Sequence, residues 1–418
     1  MLNLSKIVSG DEIRQSPIRK IMEMADKKNI IRLGLNPDDV ISFAGGWVNH
    51  EAPEELRKEY QKIADDKQLF HKIGGYSSTE GDFDFRSELV NLEKKIYGVA
   101  GLTPDNIIVG QSSTQLLFGL FMALLDSKDK VLVFDPTYAN FIEQLHVFKK
   151  RNPIIGLEAL DSKSWTFIED EEKMLRSLKL TIKKHKPKVL LVSSPDNPTG
   201  QVLSDALIKE MLQITSKSGI FMLIDNAYRD QYFTSKQPDH FSFSPENYPN
   251  LITIHSNSKW CRGLGRRLGW LKASKKVITA MKTIQQVMVL CPDTMHQFTM
   301  SCYLKAGLKD GSLKKYLKEN RLKYKAAAET TSKCIDKYLG MRYLKPQGGL
   351  YTVVDVRMDG EKFVQNVLKK TGVIFVPGGG FGKSLRSGIR VSFGPLVNNL
   401  DRIEEGFSRV KNVIGTIA

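Results

Sequence analysis

Short apolar runs recur along the first two thirds of the chain: NIIVG at 106–110, KVLVFDP at 130–136, KVLLVSSP at 188–195, FMLID at 221–225, LITIHS at 251–256 and RLGWLKAS at 267–274. Runs of this length bounded by turn residues read as strands buried on both faces. Between them, leucines return every three or four positions, the spacing of a helix with one apolar stripe. Strands alternating with helices predict an α/β fold, a mostly parallel sheet covered by helices on both faces. Ligands of such sheets sit beyond the carboxyl ends of the strands, so Asp135, Asn197, Asp225 and Lys259, which close or follow these runs, are expected on one rim. After about residue 305 the texture changes. A lysine-rich helical pattern runs from Ser312 to Leu339, followed by GLYTVVDV at 349–356, GVIFV at 372–376 and GIRVSF at 388–393. This reads as a smaller α+β domain completed by the N-terminal segment. With 418 residues the chain exceeds one hydrophobic core, and the expected division is a large domain over 52–305 and a small one from 1–51 and 306–418.

Composition narrows the function. Apolar residues at 41% and charged residues at 26% are ordinary for a globular protein. The longest apolar run, LLFGLFMALL from Leu116 to Leu125, is too short to cross a bilayer and reads as a core helix. The opening MLNLSKIVSGDEIRQS has no secretory pattern, so a cytoplasmic protein with no membrane partner is expected. Cys261, Cys291, Cys302 and Cys334 have no CxxC spacing and the seven histidines form no HExxH, so neither a disulfide framework nor a metal site is expected. The net charge of +16 raises nucleic acid as a partner. Its lysines, however, lie in segments such as SLKKYLKENRLKYKAAAE and LRSLKLTIKKHKPK, where leucines at helical spacing make them solvated helix faces. No nucleic-acid partner is expected.

Two glycine-rich segments imitate phosphate loops. GLGRRLG at 263–269 has GxGxxxG spacing and precedes a strand. GGGFGKS at 378–384 has Pro377 where GxxxxGKS requires glycine. Neither qualifies as a nucleotide site.

The chemistry centres on HSNSKWCRGLGRRLGW at 255–270. Lysines at strand ends are mostly solvated. The sharper reading of Lys259 is an amine held against a protein wall, where desolvation or a neighbouring cation lowers its pKa and lets it attack a carbonyl. The segment resembles the SxSK…RxG pattern of the fold-type I pyridoxal-phosphate enzymes of the class I/II aminotransferase family. Further segments resemble that family in order: YSSTEGDFDFR at 76–86, VGQSSTQLL at 109–117, DPTYANF at 135–141, SSPDNPTG at 193–200, DNAY at 225–228, PQGGLY at 346–351 and GIRVSF at 388–393.

The resemblance implies a role for each matching residue. Lys259 forms the Schiff base with pyridoxal 5'-phosphate and, once freed, moves the substrate proton. Asp225 pairs with the pyridine nitrogen, Tyr228 and Asn197 bond the phenolic oxygen, and Tyr138 stacks on the ring. Ser112, Ser113 and Thr114, at a helix N-terminus, take the phosphate with Ser256 and Arg267. Tyr76 reaches the phosphate of the partner subunit, which implies a homodimer with shared active sites. Arg390 grips the substrate α-carboxylate, with Asn197 and Gly46 beside it. By local sequence alone, Asp225 also fits a helix cap, Asn197 a plain Asn-Pro turn, Tyr138 a core ring and Arg390 a buried ion pair. SPIRKIM, Ser16 to Met22, and ISFAGG at 41–46 are similar to the 2-aminoadipate and kynurenine aminotransferase subgroup, where an N-terminal helix covers the substrate. Arg19 would there meet a side-chain carboxylate; otherwise it is a surface helix residue. Trp47, in WVNHEAP, and Ser112 depart from the usual pattern.

The expected activity is transfer of an amino group from an amino acid to a 2-oxo acid. A β-elimination lyase, a cyclising synthase or an oxidase would use the same anchoring residues. A basic binding protein that retains only the fold is the third reading.

Overall fold

The structure is a computed structural model and describes residues 17–148 and 154–415. Its centre is a seven-stranded sheet. In chain order the strands are β1 (Ile107–Gly110), β2 (Val131–Asp135), β3 (Ile154–Glu158), β4 (Val189–Ser193), β5 (Phe221–Asp225), β6 (Leu251–Ser256) and β7 (Gly269–Lys272). Their order across the sheet is β1-β7-β6-β5-β4-β2-β3, with β7 antiparallel to both neighbours and the remaining pairings parallel.

Alternation along the strands divides the core. Ile108, Val131, Val133, Leu191, Leu223, Ile252 and Leu271 pack on one face with the helices Ser113–Leu124 and Lys275–Met288. Leu132, Phe134, Leu190, Val192, Met222 and Ile224 pack on the other with Glu171–His185 and Asp205–Lys217. Burial on both faces is why β1, β2, β4, β5 and β6 read as continuous apolar runs. The sequence reading missed β3, an edge strand beside β2 in which only Leu157 is buried and Gly156 interrupts the apolar residues.

The second sheet is antiparallel, with Gly388–Ser392 between Tyr351–Asp355 and Val376–Pro377. Phe43, Val353, Phe363, Val391 and Phe407 join its core. Ile41–Ser42 pairs with Val373–Ile374, fastening the N-terminal segment to the C-terminal part of the chain. The GVIFV run therefore splits, because Val373–Ile374 and Val376–Pro377 pair with different partners. The lysine-rich helix is α-helical over Ser312–Cys334 and closes with a wider turn, Ile335–Leu339.

Candidate functional site

The carboxyl ends of β4, β5 and β6 open onto a cleft of about 490 Å3 lined by Ser113, Thr114, Tyr138, Ser193, Asn197, Asp225, Ala227, Tyr228, Ser256, Ser258, Lys259, Leu264 and Arg267. The loop after β4 is built by side chains that replace missing backbone partners. Buried Asp196 accepts from the hydroxyls of Ser193 and Thr199, both at 2.5 Å, and from the Thr199 N–H at 3.2 Å, which fixes Asn197 between them. The turn ends at Gly200, whose φ of 69° suits glycine and where a Cβ would stand 2.1 Å from the Tyr351 carbonyl oxygen. Its own carbonyl accepts the Gln347 and Gly348 N–H groups at 2.8 and 3.0 Å.

Ser194 in the same loop completes a serine–histidine–aspartate chain. Its Oγ lies 3.2 Å from His240 Nε2, and His240 Nδ1 lies 2.6 Å from Asp205 Oδ1. Ser194 is fully buried and its oxygen accepts the Leu203 N–H at 3.2 Å, so the trio braces the loop and presents no nucleophile to a substrate.

Strand β6 stops at Ser256, whose hydroxyl accepts the Ser258 N–H at 3.1 Å and caps a single helical turn, Asn257–Trp260. That turn aims Lys259 into the cleft. Its Nζ donates to the Gly46 carbonyl at 2.6 Å. Burial, then the charges of Arg390 and Arg267, bring its pKa down to about 8, with Asp225 opposing. The amine is thus poised between its charged and nucleophilic forms near neutral pH.

Asp225 shows the complementary shift. Burial pushes its carboxyl up to about 6; the Ala227 N–H, which it accepts at 2.9 Å, and Lys259 pull it down, and Asp196 pushes it up. A carboxylate this short of partners favours a cationic ring nitrogen in front of it. Tyr228 donates or accepts a 2.6 Å bond with Tyr351, and burial first, then Tyr351, raise its pKa well above the ordinary tyrosine value. Arg390 is fully buried, with its guanidinium 4.4 Å from the Tyr351 ring centre and 4.9 Å from that of Phe381. It donates to Asn197 Oδ1 at 3.0 Å and to the Ala44 carbonyl at 2.8 Å, while its Nε has no acceptor.

The other end of the cleft suits an anion. Ser113 opens the helix Ser113–Leu124 and Thr114 follows it, so both stand at the positive end of the helix dipole. Strand β7 passes so near that a Cβ on Gly269 would sit 2.8 Å from the Ser113 nitrogen. Ser256, Ser258 and exposed Arg267 line the same cleft.

Most of the residues expected at the site therefore meet. Two, Ser112 and Asp135, depart from that expectation. Ser112 does not line the cleft: its hydroxyl caps the helix by accepting the Gln115 N–H at 3.2 Å. Tyr76 stands outside its own cleft with 85% of its surface exposed, as a residue expected to reach a partner subunit would. Asp135 leaves the common rim to bond the glycine-rich turn after Pro377, because Ser384 offers it two donors there. The side chain of Arg19 lies outside the described residues, although its helix, Pro17–Met24, is within them. Tyr351, Asp196 and Ser258 were not singled out beforehand. Each stood inside a quoted segment, but Tyr351 looked like an ordinary strand aromatic and only the fold sets it beneath Arg390.

A model of the aminotransferase class I and II family matches residues 38–405. The chain belongs to this family. The aminotransferase is 27% identical to the aspartate aminotransferase of Thermotoga maritima, covering 97% of this chain and 98% of that one. It is 24% identical to aromatic-amino-acid aminotransferase 2 of Thermococcus litoralis, covering 96% of each. Its fold superposes on the aspartate aminotransferase of Thermus thermophilus solved with maleate, with a TM-score of 0.82 at 22% identity over 98% of this chain and 100% of that one. The aminotransferase thus has the fold-type I architecture. Among the described residues no helix is long and apolar enough to cross a membrane, and no cluster of three metal-ligating side chains occurs.

Proposed function

We propose that the cleft holds pyridoxal 5'-phosphate and that Lys259 is the residue that links to it. The observation that carries this reading is the pairing of a lysine brought down to about 8 with an aspartate pushed up to about 6 across one cleft whose far end is a helix N-terminus. When bound, the cofactor supplies an aldehyde that exchanges amines and a protonated ring that takes up the electron pair left at Cα. Ser113, Thr114, Ser256 and Arg267 hold its phosphate, Tyr138 covers its ring, and Asp225 keeps the ring nitrogen protonated. Asn197 and Tyr228 bond its phenolic oxygen. Lys259, once released, carries the proton to and from the substrate Cα. Arg390 binds the α-carboxylate; its unused Nε and its coulombic effect on Lys259 support that role. The substrates are an amino acid and a 2-oxo acid. Relatives named for aspartate and for aromatic amino acids make those the first donors to try, and Arg19 is proposed to meet a side-chain carboxylate.

We also infer a homodimer, with Tyr76 reaching the partner's phosphate. Exposed Phe70, Phe83, Val287 and Leu290 support a covered face, and Thr294 and Gln285 fasten the 73–79 segment to neighbouring helices through the Ile73 and Thr79 carbonyls. The domain division at 52–305 is retained as a proposal, supported by the pairing of Ile41–Ser42 with Val373–Ile374.

The test is the visible spectrum of protein loaded with pyridoxal phosphate, followed during addition of amino donors and then of oxo acids. Conversion to the pyridoxamine band and back supports transamination; no conversion with any donor refutes it. The lowered lysine pKa sets a pH dependence: only the neutral amine attacks, so the rate at which apo protein binds the cofactor covalently should rise with pH and level off above about 8. Stopped-flow absorbance from pH 6 to 10 measures it. Arg390→Lys keeps the charge and loses the planar fork, so kcat/KM should fall by about 10- to 100-fold, mainly through KM. Steady-state kinetics with donor and acceptor varied in turn would show it.

A further inference from the structure

We propose that Asp135 is a positioning residue that clasps the glycine-rich turn of the small sheet to the strand end carrying Tyr138, and so sets the gap between that ring and Arg390. The inference rests on the proposed use of Tyr138 and Arg390. The carboxylate at the end of β2 accepts on one oxygen from the Ser384 hydroxyl at 2.7 Å and from the Ser384 N–H at 3.3 Å. A Cβ on Gly382 would stand 2.0 Å from that same oxygen, so glycine at this position makes room for the carboxylate. Two residues beyond Asp135, the Thr137 N–H donates to the Phe381 carbonyl at 2.8 Å. Tyr138 follows directly. On the other side, Phe381 presents its ring to the Arg390 guanidinium at 4.9 Å, and Arg390 stands on the strand Gly388–Ser392 that follows the turn.

The clasp therefore has two rungs, and it joins the end of β2, next to Tyr138 of the cleft, to the turn before the strand that carries Arg390. It also accounts for GGGFGKS without a nucleotide: the turn wraps an internal carboxylate. With the clasp broken, the two halves must be ordered by the substrate itself, which weakens substrate binding more than the chemical step. Asp135 does not line the cleft, so its effect passes through Tyr138 and Arg390.

The experiment compares Ser384→Ala, Asp135→Ala, their combination, and Ser384→Thr in the holoenzyme. Ser384→Ala should raise KM for donor and acceptor by about tenfold, as expected for one hydrogen bond to a carboxylate, with kcat within about threefold. The combination should be no worse than Asp135→Ala alone, and Ser384→Thr should restore the wild-type values. The dissociation constant of the 2-methyl derivative of the best donor, which binds but has no Cα proton to lose, should rise in step with KM. Additive effects, or an unchanged dissociation constant, overturn the clasp. Hydrogen exchange of the Thr137 amide in apo protein is independent of any reaction: Ser384→Ala should speed it about tenfold, and unchanged exchange also overturns the clasp. A wild type that never converts the cofactor would sink the proposed function, and the exchange result would still decide the clasp.

Discussion

Replacing Lys259 by alanine is expected to lower kcat by about 10⁴-fold, the upper end of what one positioned acid/base contributes, with cofactor affinity reduced far less. The difference arises because the proposed phosphate and ring contacts of Ser113, Thr114, Arg267 and Asp225 do not involve the lysine. The amine also has no substitute within the cleft. Asp225 is proposed to be committed to the ring nitrogen, and Tyr228 is pushed well above the ordinary tyrosine pKa by burial and Tyr351. Single-turnover conversion of bound cofactor by a good donor, with fluorescence titration of pyridoxal phosphate, measures the two quantities separately. A variant within tenfold of wild-type turnover would remove Lys259 from the chemistry. Added primary amines should restore part of the rate in the alanine variant, since the vacated space leads to the same proton.

Glu93→Gln is expected to cost about 3–5 kcal/mol of stability, the usual penalty for taking one partner from a buried ion cluster. Glu93 is fully buried beneath β7 and holds two cations. Arg229 donates to both its oxygens at 3.0 and 2.7 Å, and Lys272 donates at 2.7 Å. The Arg229 guanidinium also lies 3.5 Å from the Tyr97 ring centre, and the Tyr97 hydroxyl donates to Asp230 at 2.5 Å. Burial alone would raise the Glu93 pKa, but Arg229 and Lys272 outweigh it and hold the carboxyl well below the ordinary range. The amide keeps the shape and loses the charge, leaving two buried cations against each other.

A depressed carboxylate pKa stabilises the fold above its unfolded value, and that stabilisation is lost as pH falls through the folded value. Wild-type stability should therefore decline as pH falls through the ordinary carboxylate range and below it, and the Glu93→Gln variant should show a flatter decline from a lower plateau. Urea unfolding of apo protein at fixed concentration, from pH 3 to 7, tests both statements. Arg229 adjoins Tyr228, so weakened cofactor binding should accompany the loss.

The sequence by itself determined the architecture and brought the reactive groups forward as candidates. The two-sided burial of the central strands wrote itself as apolar runs, and the local segments around Lys259, Asp225, Asn197 and Arg390 matched a family in order. Serine and glycine around the lysine, and Asn-Pro-Thr-Gly after β4, are short-range chemistry that a linear reading captures. What the tertiary structure decided were matters of distance between segments far apart in the chain. Asp135 and Asp225 both close strands, yet one faces the cleft and the other bonds Ser384, because a turn some 250 residues away fills the space before it. Tyr351 became a site residue only when Gly200, Tyr228 and Arg390 packed around it. The shifts of Lys259 and Asp225, and the cluster around Glu93, follow from desolvation. Burial is a property of the packed molecule, and residue types at fixed spacings do not encode it.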